Sequence, residues 1–580
     1  MRLRSKLVRQ FKYPVRWMSF LAGGVPAILV FPGPSLFYLA WFALVPAMVL
    51  FTRAATTREA VARGWWFGAA YLIAILWWMT PQIGPGVLLI GGIFGCMWSP
   101  FAVAVRRLLT PPVSWPRVLA ALAVVPATWL VPEWIRSYQG LGGPWGLYGA
   151  SQWQHPAVLA LASVGGVWLV SVALLIANSG LTLILGAIRP ALLAPAPAAN
   201  AVPAVATAAD QSPAPAAAAR PVTAVPVRRR LALALAGAAT FVIAAGSGPL
   251  AFALTPAFPV ARQATIALVQ PGIVNDPAKR VDASETLTRE FSRQNTDGKD
   301  HPDLIVWGES SVAYDLAINP TLLSGIKKLS AQEQSEILVS QDSTIPGPDG
   351  GQEKVAIQVS PQGIEGRYVK TRLVPFGEYI PFRQQLNWLT KISKAAASNM
   401  VPGTGAHTLT VTSPAGDGEP LDIGVLVCFE SAFPDMSRVE TNQGAQVIVY
   451  QSATSTFQGT WGPDQQASLA ALRAAETGRP VVQAALTGDT VAFDARGRQL
   501  AWLDQDSHGV VTVTLNLPAQ AAKTFYDQAG DYVMWSGVGI TALAALVMLL
   551  RRRHFQANTT GAPGVRTAEY DADTGDPVRS

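Results

Sequence analysis

Residues 421–433 read LDIGVLVCFESAF, and the organisation of the polar part of the chain follows from this stretch. Six of the seven residues before Cys428 are apolar, and Asp422 is the exception. Most of them are β-branched or small, which predicts a strand that is buried on both faces. Cys428 stands where this strand ends, a position from which a side chain opens onto a crevice and can act as a nucleophile. The alternative is that Cys428 is a small buried hydrophobic residue, as most free cysteines are.

The composition indicates a membrane protein. Half of the 580 residues are apolar and only 14% are charged, which is too hydrophobic for an ordinary soluble multidomain protein. Eighteen tryptophans fit a chain with many membrane–water boundaries. The two cysteines, Cys96 and Cys428, fall in an apolar run and in a polar region, which excludes a disulfide framework. The five histidines show no metal-binding spacing, so we expect no zinc site, no His-based triad and no cofactor.

Eight long apolar runs predict eight membrane-spanning helices. They lie at 18–32, 35–51, 64–79, 86–105, 118–131, 156–188, 231–254 and 532–550. Several runs reach the ~20 residues that a helix needs to cross the hydrocarbon core, and the others come close to that length. None of them carries a central Asp, Glu, Lys or Arg, which argues against a transporter.

The cations between these runs predict the orientation in the membrane. Six cations lie in the N-terminal segment, and the others follow the even-numbered runs. These are Arg53, Arg58 and Arg63 after the second run; Arg106, Arg107 and Arg117 after the fourth; Arg189, Arg220, Arg228, Arg229 and Arg230 after the sixth; and Arg551, Arg552 and Arg553 after the eighth. The loops at 31–35 and 80–85 carry no charge, and the loop after the fifth run has only Glu133 and Arg136. The positive-inside rule then places both termini in the cytoplasm and the large segment between the last two runs outside it. The basic pI therefore reflects membrane orientation rather than a nucleic-acid partner.

These patterns divide the chain into six parts. They are a six-span membrane bundle at 1–188, an Ala/Pro-rich cytoplasmic linker at 189–230, a seventh span at 231–254, a catalytic domain at 262–518, an eighth span at 532–550 and a cytoplasmic tail at 551–580. The linker lacks aromatic residues and its prolines forbid a continuous helix, so we predict that it is disordered. The polar, Gly- and Thr-rich tail is predicted to be disordered as well.

The polar region alternates strand-like and helix-like segments. The predicted strands are ATIALVQ, DLIVWGE, EILVSQD, KVAIQVS, GIEGRYVK, DIGVLVCFE, AQVIVYQS, VVQAAL, TVAFDARG and VVTVTLN. Between them, residues 283–293, 320–334 and 464–477 read as helices. Strands that interleave with helices predict a layered α/β domain.

Three ionisable side chains follow three of these predicted strands. Glu309 ends the run LIVW, Lys370 ends GRYV and Cys428 ends GVLV. Ligands of open α/β sheets bind beyond the strand ends, so we expect the three side chains to converge on one crevice. Each has an alternative interpretation, since Glu309 can be a solvated carboxylate and Lys370 a surface cation.

The order Glu, Lys, Cys on successive strand ends resembles the nitrilase (carbon–nitrogen hydrolase) superfamily. The segment YVKTRLVPFGEYIPF at 368–382, followed by CFESAFP at 428–434, resembles the apolipoprotein N-acyltransferase family. The eight-span layout, with an insertion before the last span, is similar to that family too. The resemblance implies a multi-pass α-helical membrane bundle of eight spans and an extracytoplasmic α/β nitrilase-like domain, a four-layer αββα sandwich.

The resemblance also implies roles for particular residues. The catalytic triad is Glu309, Lys370 and Cys428; Glu378 and Glu430 are supporting carboxylates; Phe429 offers a backbone N–H; and Pro144, Trp145, Gln152 and Phe376 are substrate-binding candidates. A nearby ammonium lowers the pKa of a thiol, and a carboxylate can take its proton. The Phe429 N–H and the Lys370 ammonium are candidate donors to a developing oxyanion.

The reaction implied by the resemblance is a two-stage acyl transfer in the plasma membrane of a bacterium. Cys428 takes an acyl chain from a phospholipid as a thioester, and the α-amine of the N-terminal diacylglyceryl-cysteine of an apolipoprotein then takes the chain as an amide. The partners are thus a phospholipid donor, an apolipoprotein acceptor and the bilayer. Two alternatives stay open: a membrane-tethered amidase that uses water in the second step, and a non-catalytic scaffold that binds lipoproteins.

The sequence departs from the family pattern in several loops. Residues 451–461 read QSATSTFQGTW where the family shows an Asn-Asp-x-Trp motif, and residues 486–488 read LTG in place of an asparagine-rich turn. Lys279 and Arg280 stand near an expected tryptophan, and Phe429 replaces a frequent tyrosine. Acyl-chain and headgroup preferences therefore do not carry over from the resemblance.

Overall fold

The structure is a computed structural model, and it describes residues 14–195, 226–294, 301–345, 350–391, 399–412 and 419–560. Most of the predicted disordered linker, at 196–225, and the last part of the predicted tail, at 561–580, lie outside these residues. The other ends of the two segments are helical. Residues Pro190–Leu193 form one helical turn, and the last helix continues to Thr560, ten residues beyond 550. Residues 551–560 contain no Gly or Pro to stop the helix.

The N-terminal part is helical. Its main helices are Pro14–Val30, Val45–Thr52, Thr57–Leu76, Gly86–Phe94, Ser99–Leu109, Trp115–Arg136 and Ala162–Ile188, and the helices Val227–Leu254 and Tyr532–Thr560 flank the polar domain. Among the described residues, six helices are long and apolar enough to cross a membrane, and two shorter apolar helices cover Pro14–Val30 and Phe37–Thr52. Each coincides with a predicted run, which supports a membrane bundle, while the number of spans stays a prediction.

Small residues let the bundle helices approach closely. A Cβ on Gly180 would lie 2.6 Å from the carbonyl oxygen of Gly237, and a Cβ on Gly237 would lie 2.6 Å from that of Gly180. The helices Ala162–Ile188 and Val227–Leu254 therefore touch backbone to backbone, as helices in lipid often do. A buried aromatic cluster of Tyr71, Trp98 and Trp129 fills the space between neighbouring helices.

The polar domain contains two six-stranded sheets. In chain order the strands are β1 Val260–Gln270, β2 Leu304–Trp307, β3 Glu336–Thr344, β4 Gln352–Val359, β5 Ile364–Val369, β6 Thr408–Val411, β7 Leu421–Val427, β8 Val447–Ser452, β9 Val481–Ala485, β10 Thr490–Phe493, β11 Gln499–Leu503 and β12 Gly509–Pro518. The sheet orders are β12-β1-β2-β3-β4-β5 and β11-β10-β9-β8-β7-β6. Strands β1, β2 and β3 run parallel, and so do β7, β8 and β9.

Alternate residues of the first sheet face two different cores. Leu268 and Val306 share a core with the second sheet, whereas Val269 and Trp307 share one with the helices Arg280–Gln294 and Pro320–Glu333. The helices Pro434–Asn442 and Gly462–Thr477 cover the other face of the second sheet. This helix–sheet–sheet–helix layering confirms the predicted α/β nitrilase-like domain.

The ten predicted strands are all present, but two strands and a helix were missed. Strands β6 and β11 lie at or near sheet edges and are short or largely exposed, so their sequences TLTV and QLAWL lack a strong apolar run. The helix Pro434–Asn442 was missed because its apolar residues are few. The ends of β2, β5 and β7, where function was predicted, lie within two residues of Glu309, Lys370 and Cys428.

Candidate active site

The three predicted side chains meet at one end of the paired sheets. Lys370 Nζ lies 3.1 Å from Glu309 Oε1, and Lys370 is fully buried. Cys428 is half-buried and lies close enough to feel the charges of both residues. The Gln466 amide donates to Cys428 Sγ at 3.5 Å. The strand ends therefore converge as expected, while the catalytic roles of these side chains stay a prediction.

The backbone around the thiol is strained. Cys428 has φ +50°, in the left-handed region that non-glycine residues rarely adopt. Ser310, next to Glu309, has φ +55°, and Phe376 has φ +64°. Such conformations cost about 1–3 kcal/mol each and persist only where the surroundings hold them. The strain thus marks the turns that carry the predicted site residues.

Glu430 binds the two sides of the site together. Its Oε1 accepts hydrogen bonds from Tyr368 Oη at 2.9 Å, Thr371 N at 2.8 Å, Thr371 Oγ1 at 2.7 Å and Arg372 N at 3.0 Å. Its Oε2 accepts from Val427 N at 2.7 Å. The residues after Lys370 and the residue before Cys428 are therefore fixed by one buried carboxylate.

Glu378 fixes the lysine itself. Its Oε1 accepts from Lys370 Nζ at 2.7 Å, and its Oε2 accepts from Val374 N at 2.8 Å. The Lys370 ammonium thus lies between two carboxylates, Glu309 and Glu378. This arrangement orients the ammonium while leaving it charged.

Lys354 is a site residue that the sequence analysis missed. Its Nζ lies 2.6 Å from Asp342 Oδ1, 2.7 Å from Ser310 Oγ and 3.8 Å from Glu309 Oε1. Its carbonyl accepts from the Lys370 N–H at 2.9 Å. One signal was available, since Lys354 is the single charged residue in the apolar run KVAIQVS.

The electrostatics of the site keep the thiol protonated at rest. Burial, and then the charge of Glu309, raise the pKa of Cys428 to about 12, although Lys370 and Gln466 lower it. Lys370 therefore lowers the pKa of this thiol as expected, but burial and the charge of Glu309 outweigh it. Burial alone would lower the pKa of Lys370, but the charges of Glu309 and Glu378 raise it well above its ordinary value. A thiol that is protonated at rest needs a proton acceptor in order to react, and Glu309 stays the predicted one.

A loop from the helical bundle packs beside the thiol. The ring of Trp145 lies 6.2 Å from the ring of Phe429, which packs edge-on against Phe433 at 4.9 Å. Gly143 has φ +84°, and a Cβ there would lie 2.8 Å from the Phe429 ring. The neighbouring Pro144 is buried. The bundle therefore touches the residue that follows Cys428.

Glu133 and Arg136 hold this loop in place by hydrogen bonds. Glu133 Oε1 accepts from Tyr148 N at 2.6 Å and from Trp129 Nε1 at 2.9 Å. Arg136 donates to the carbonyl oxygen of Trp145. The two side chains form no direct ion pair with each other, and each instead binds backbone at one end of the loop.

The remaining predicted substrate-binding residues differ in exposure. Gln152 is fully buried, and its amide donates to Phe37 O at 2.9 Å and accepts from Trp41 Nε1 at 3.2 Å. Phe376 is 39% exposed. The Gln152 side chain is thus hydrogen-bonded inside the bundle, whereas the Phe376 side chain is accessible to a ligand. Among the described residues, no group of three or more His, Cys, Asp and Glu side chains is arranged to hold a metal ion.

Comparison with known proteins gives consistent matches. The family profile described as "Apolipoprotein N-acyltransferase N-terminal domain" matches residues 23–180, and that described as "Carbon-nitrogen hydrolase" matches residues 265–523. An apolipoprotein N-acyltransferase of Allorhizobium ampelinum is 28% identical over 494 residues, covering 80% of this chain and 81% of that protein. One from Geobacter metallireducens is 27% identical over 557 residues, covering 93% of this chain and 96% of that protein.

A solved structure, that of Nit3 from Saccharomyces cerevisiae, a member of branch 10 of the nitrilase superfamily, is 16% identical to this chain. The match covers 44% of this chain and 91% of the Nit3 chain, with a TM-score of 0.34. The TM-score is too low for this match to support a family assignment. The assignment rests on the two profiles, found in the order that the structure shows, and on relatives matched over most of their length. This chain is similar to apolipoprotein N-acyltransferases over most of its length, with their N-terminal domain matched at 23–180 and a carbon–nitrogen hydrolase domain matched at 265–523.

Proposed function

We propose that the protein transfers an acyl chain from a membrane phospholipid to the α-amine of the N-terminal diacylglyceryl-cysteine of apolipoproteins, through a thioester on Cys428. The observation that carries this proposal is the cluster of Cys428, Lys370 and Glu309 beside a loop of the apolar bundle. Relatives that match most of the chain are named for this activity. The protein is an acyltransferase of the membrane.

The first stage forms the acyl-enzyme. Glu309 takes the proton of the Cys428 thiol as the sulfur attacks the ester carbonyl of the phospholipid. The Lys370 ammonium and the Phe429 N–H stabilise the negative charge that develops on the carbonyl oxygen. When the tetrahedral intermediate collapses, the C–O bond breaks, and the leaving oxygen takes the proton back from Glu309. The products are a Cys428 thioester and a lysophospholipid.

The second stage consumes the thioester. The α-amine of the acceptor attacks the thioester carbonyl, and Glu309 accepts the proton that the amine loses. The C–S bond then breaks, the amide leaves, and the proton returns to the sulfur of Cys428. A transferase must keep water from the thioester until the amine arrives. Full burial of Lys370 and 4% exposure of Glu309 are consistent with a site that restricts water.

The orientation in the membrane is part of the proposal. Four arginines at or near helix ends donate to backbone carbonyl oxygens of neighbouring segments: Arg53 to Leu192, Arg106 to Ala54, Arg229 to Val113 and Arg230 to Ala187. They gather at one end of the bundle, which we assign to the cytoplasm. The helix Trp115–Arg136 runs from this end toward the loop beside Phe429, and its 22 residues span about 33 Å. That length matches a hydrocarbon core of about 30 Å, so the polar domain lies on the extracytoplasmic side.

The test follows both stages with one label. The purified full-length protein is incubated with a phospholipid that carries a deuterated acyl chain, and a diacylglyceryl-cysteine peptide is then added. The proposal predicts that the label moves to Cys428 and then to the peptide α-amine. Release of the label as free fatty acid, with no labelled amide, would favour a membrane-tethered amidase. Binding of the peptide with no transfer of the label, by wild type and Cys428→Ala alike, would favour a non-catalytic scaffold. Peptide labelling that Cys428→Ala leaves unchanged would contradict the proposed thioester.

A further inference from the structure

A cavity of about 370 Å³ lies where the polar domain meets the bundle. Its walls come from five places: the residues around the start of the helix Ala162–Ile188, the connection after the helix Val227–Leu254, the end of the helix Gly462–Thr477, the turn between β10 and β11, and the segment before the helix Tyr532–Thr560. Most of the lining is apolar, with Ala160, Val164, Pro256, Phe258 and Phe525 among it. The cavity therefore lies at the level where the proposed spans leave the membrane.

The charged side chains that line this cavity are all positively charged. Arg496 and Lys523 line it, and none of its described lining residues is an aspartate or a glutamate. Arg496 lies 3.4 Å above the ring of Phe252, and its Nη2 donates to Phe252 O at 2.6 Å. Lys523 is half-buried, and its ammonium forms no hydrogen bond or ion pair with any described residue. The cavity thus combines apolar walls with a rigid guanidinium and an ammonium that is available to a ligand.

The cavity is separate from the catalytic cluster. The helix Gly462–Thr477 connects the two places, because Gln466 contacts Cys428 at one end and Ala475 lines the cavity at the other. Nine residues of helix separate these positions by about 14 Å. None of Glu309, Lys370 and Cys428 lines the cavity.

We propose that this cavity binds the headgroup and the first acyl methylenes of an anionic phospholipid of the outer leaflet. A volume near the low end of the range for ligand pockets fits that part of a lipid rather than a whole molecule. The Lys523 ammonium suits a phosphodiester, and Arg496 adds a second positive charge although Asp494 lies near it. The apolar walls suit the methylenes. The bound lipid is not the acyl donor. It fastens the polar domain to the bundle, since its contacts join both. The proposal rests on the membrane placement given above, and not on the chemistry of Cys428.

The test uses the full-length protein in mild detergent. The protein is mixed with vesicles that contain equal amounts of phosphatidylglycerol and phosphatidylcholine, and native mass spectrometry counts the retained lipid. Wild type is expected to retain phosphatidylglycerol preferentially. Lys523→Glu is expected to retain about 10-fold less, because reversing a charge beside a phosphate removes an attraction and adds a repulsion. Lys328→Glu, an exposed lysine of the helix Pro320–Glu333, is the charge-matched control and is expected to behave as wild type.

A second measurement needs no variant. Phosphatidylglycerol is expected to raise the unfolding temperature of wild type, whereas phosphatidylcholine or inorganic phosphate at the same concentration is not. Equal retention by Lys523→Glu and Lys328→Glu would overturn the proposal. So would stabilisation by inorganic phosphate alone, or retention of phosphatidylcholine as strongly as phosphatidylglycerol. Acyl transfer to Cys428 is measured on the same samples, so failure of this lipid site and failure of the proposed reaction are distinguished.

Discussion

Lys354 Nζ lies 3.8 Å from Glu309 Oε1, the same carboxylate oxygen to which Lys370 Nζ donates at 3.1 Å. The oxygen that is placed to take the thiol proton is therefore held between two ammonium groups. Lys354 in turn is held by Asp342, and it donates to Ser310, whose strained backbone directly follows Glu309. We therefore expect Lys354 to act on the proposed reaction as a positioning residue, through Glu309.

Replacing Lys354 with methionine is expected to slow acylation of Cys428 by about 10- to 100-fold, a part of what a general base contributes. The substitution removes the contact that orients Glu309 and leaves Asp342 without its cation. Lys354→Arg, which keeps the charge, is expected to restore part of the rate. The rate of thioester formation is read by mass spectrometry, together with the unfolding temperature. Loss of stability with an unchanged acylation rate would show that Lys354 is only structural.

The reactivity of Cys428 is expected to keep rising steeply in a pH range where an ordinary thiol is already largely ionised. Because burial and Glu309 raise its pKa to about 12, the thiolate fraction still increases tenfold per pH unit between pH 9 and pH 10. Alkylation by iodoacetamide, followed by peptide mass spectrometry in a Cys96→Ser background, measures this rise. A plateau below pH 9 would show that the thiol is more acidic than the structure indicates.

The raised pKa of Cys428 also makes the stability of the protein depend on pH. The pKa of this thiol is near 9 in the unfolded protein and about 12 in the folded protein. Its contribution to stability is fully present below pH 9 and is lost as the pH rises toward about 12, because the unfolded protein ionises first. Cys428→Ala lacks the titrating group. Its unfolding temperature is therefore expected to fall less than that of wild type between pH 9 and pH 10.

Glu430→Gln is expected to lower the free energy of unfolding by about 1–3 kcal/mol. The carboxylate accepts hydrogen bonds from Tyr368, Thr371, Arg372 and Val427, and an amide NH2 cannot accept them. Acylation of Cys428 is expected to fall as well, since Glu430 joins the two strand ends. Chemical denaturation and thioester formation measure the two effects.

Glu440→Gln is a matched control for Glu430→Gln. Glu440 is buried too, and burial, followed by the charge of Glu430, raises its pKa to about 8 while the His407 backbone amide lowers it. The free energy of unfolding therefore falls as the pH rises from the pKa of this carboxyl in the unfolded protein toward 8. Glu440→Gln removes that cost and is expected to be as stable as wild type, or more so, above pH 8. Equal destabilisation by both substitutions would contradict the role assigned to Glu430.

Gly143→Ala is expected to disturb the site from the bundle side. The position has φ +84°, and the new methyl group would lie 2.8 Å from the Phe429 ring, so the strain is on the order of 1–3 kcal/mol. Because Phe429 follows Cys428, the acylation rate is expected to fall. Gly140→Ala is the control, since nothing lies within 4 Å of a Cβ there. Equal rates for the two variants would show that the loop does not act on the thiol.

The sequence predicted the convergence of Glu309, Lys370 and Cys428 because each follows an apolar strand, and the three strands, two in the first sheet and one in the second, end on the same side of the domain. It missed Lys354 because a single charged residue in the apolar run KVAIQVS does not show where its side chain reaches, which depends on the pairing of β4 with β5. It also missed Gln466, since only the packing of two distant segments brings this amide to the sulfur. The sequence did not indicate the high pKa of Cys428, because burial and the charge of Glu309 outweigh the neighbouring ammonium only in the folded site.

The most direct test of the central claim is the mass of the peptide that contains Cys428 after the protein has met phospholipid. The account predicts an adduct with the mass of a fatty acyl group on this residue, removed by neutral hydroxylamine and absent from Cys428→Ala. An acyl transfer that proceeds while Cys428 stays unmodified, or an adduct on another residue that supports transfer, would contradict it.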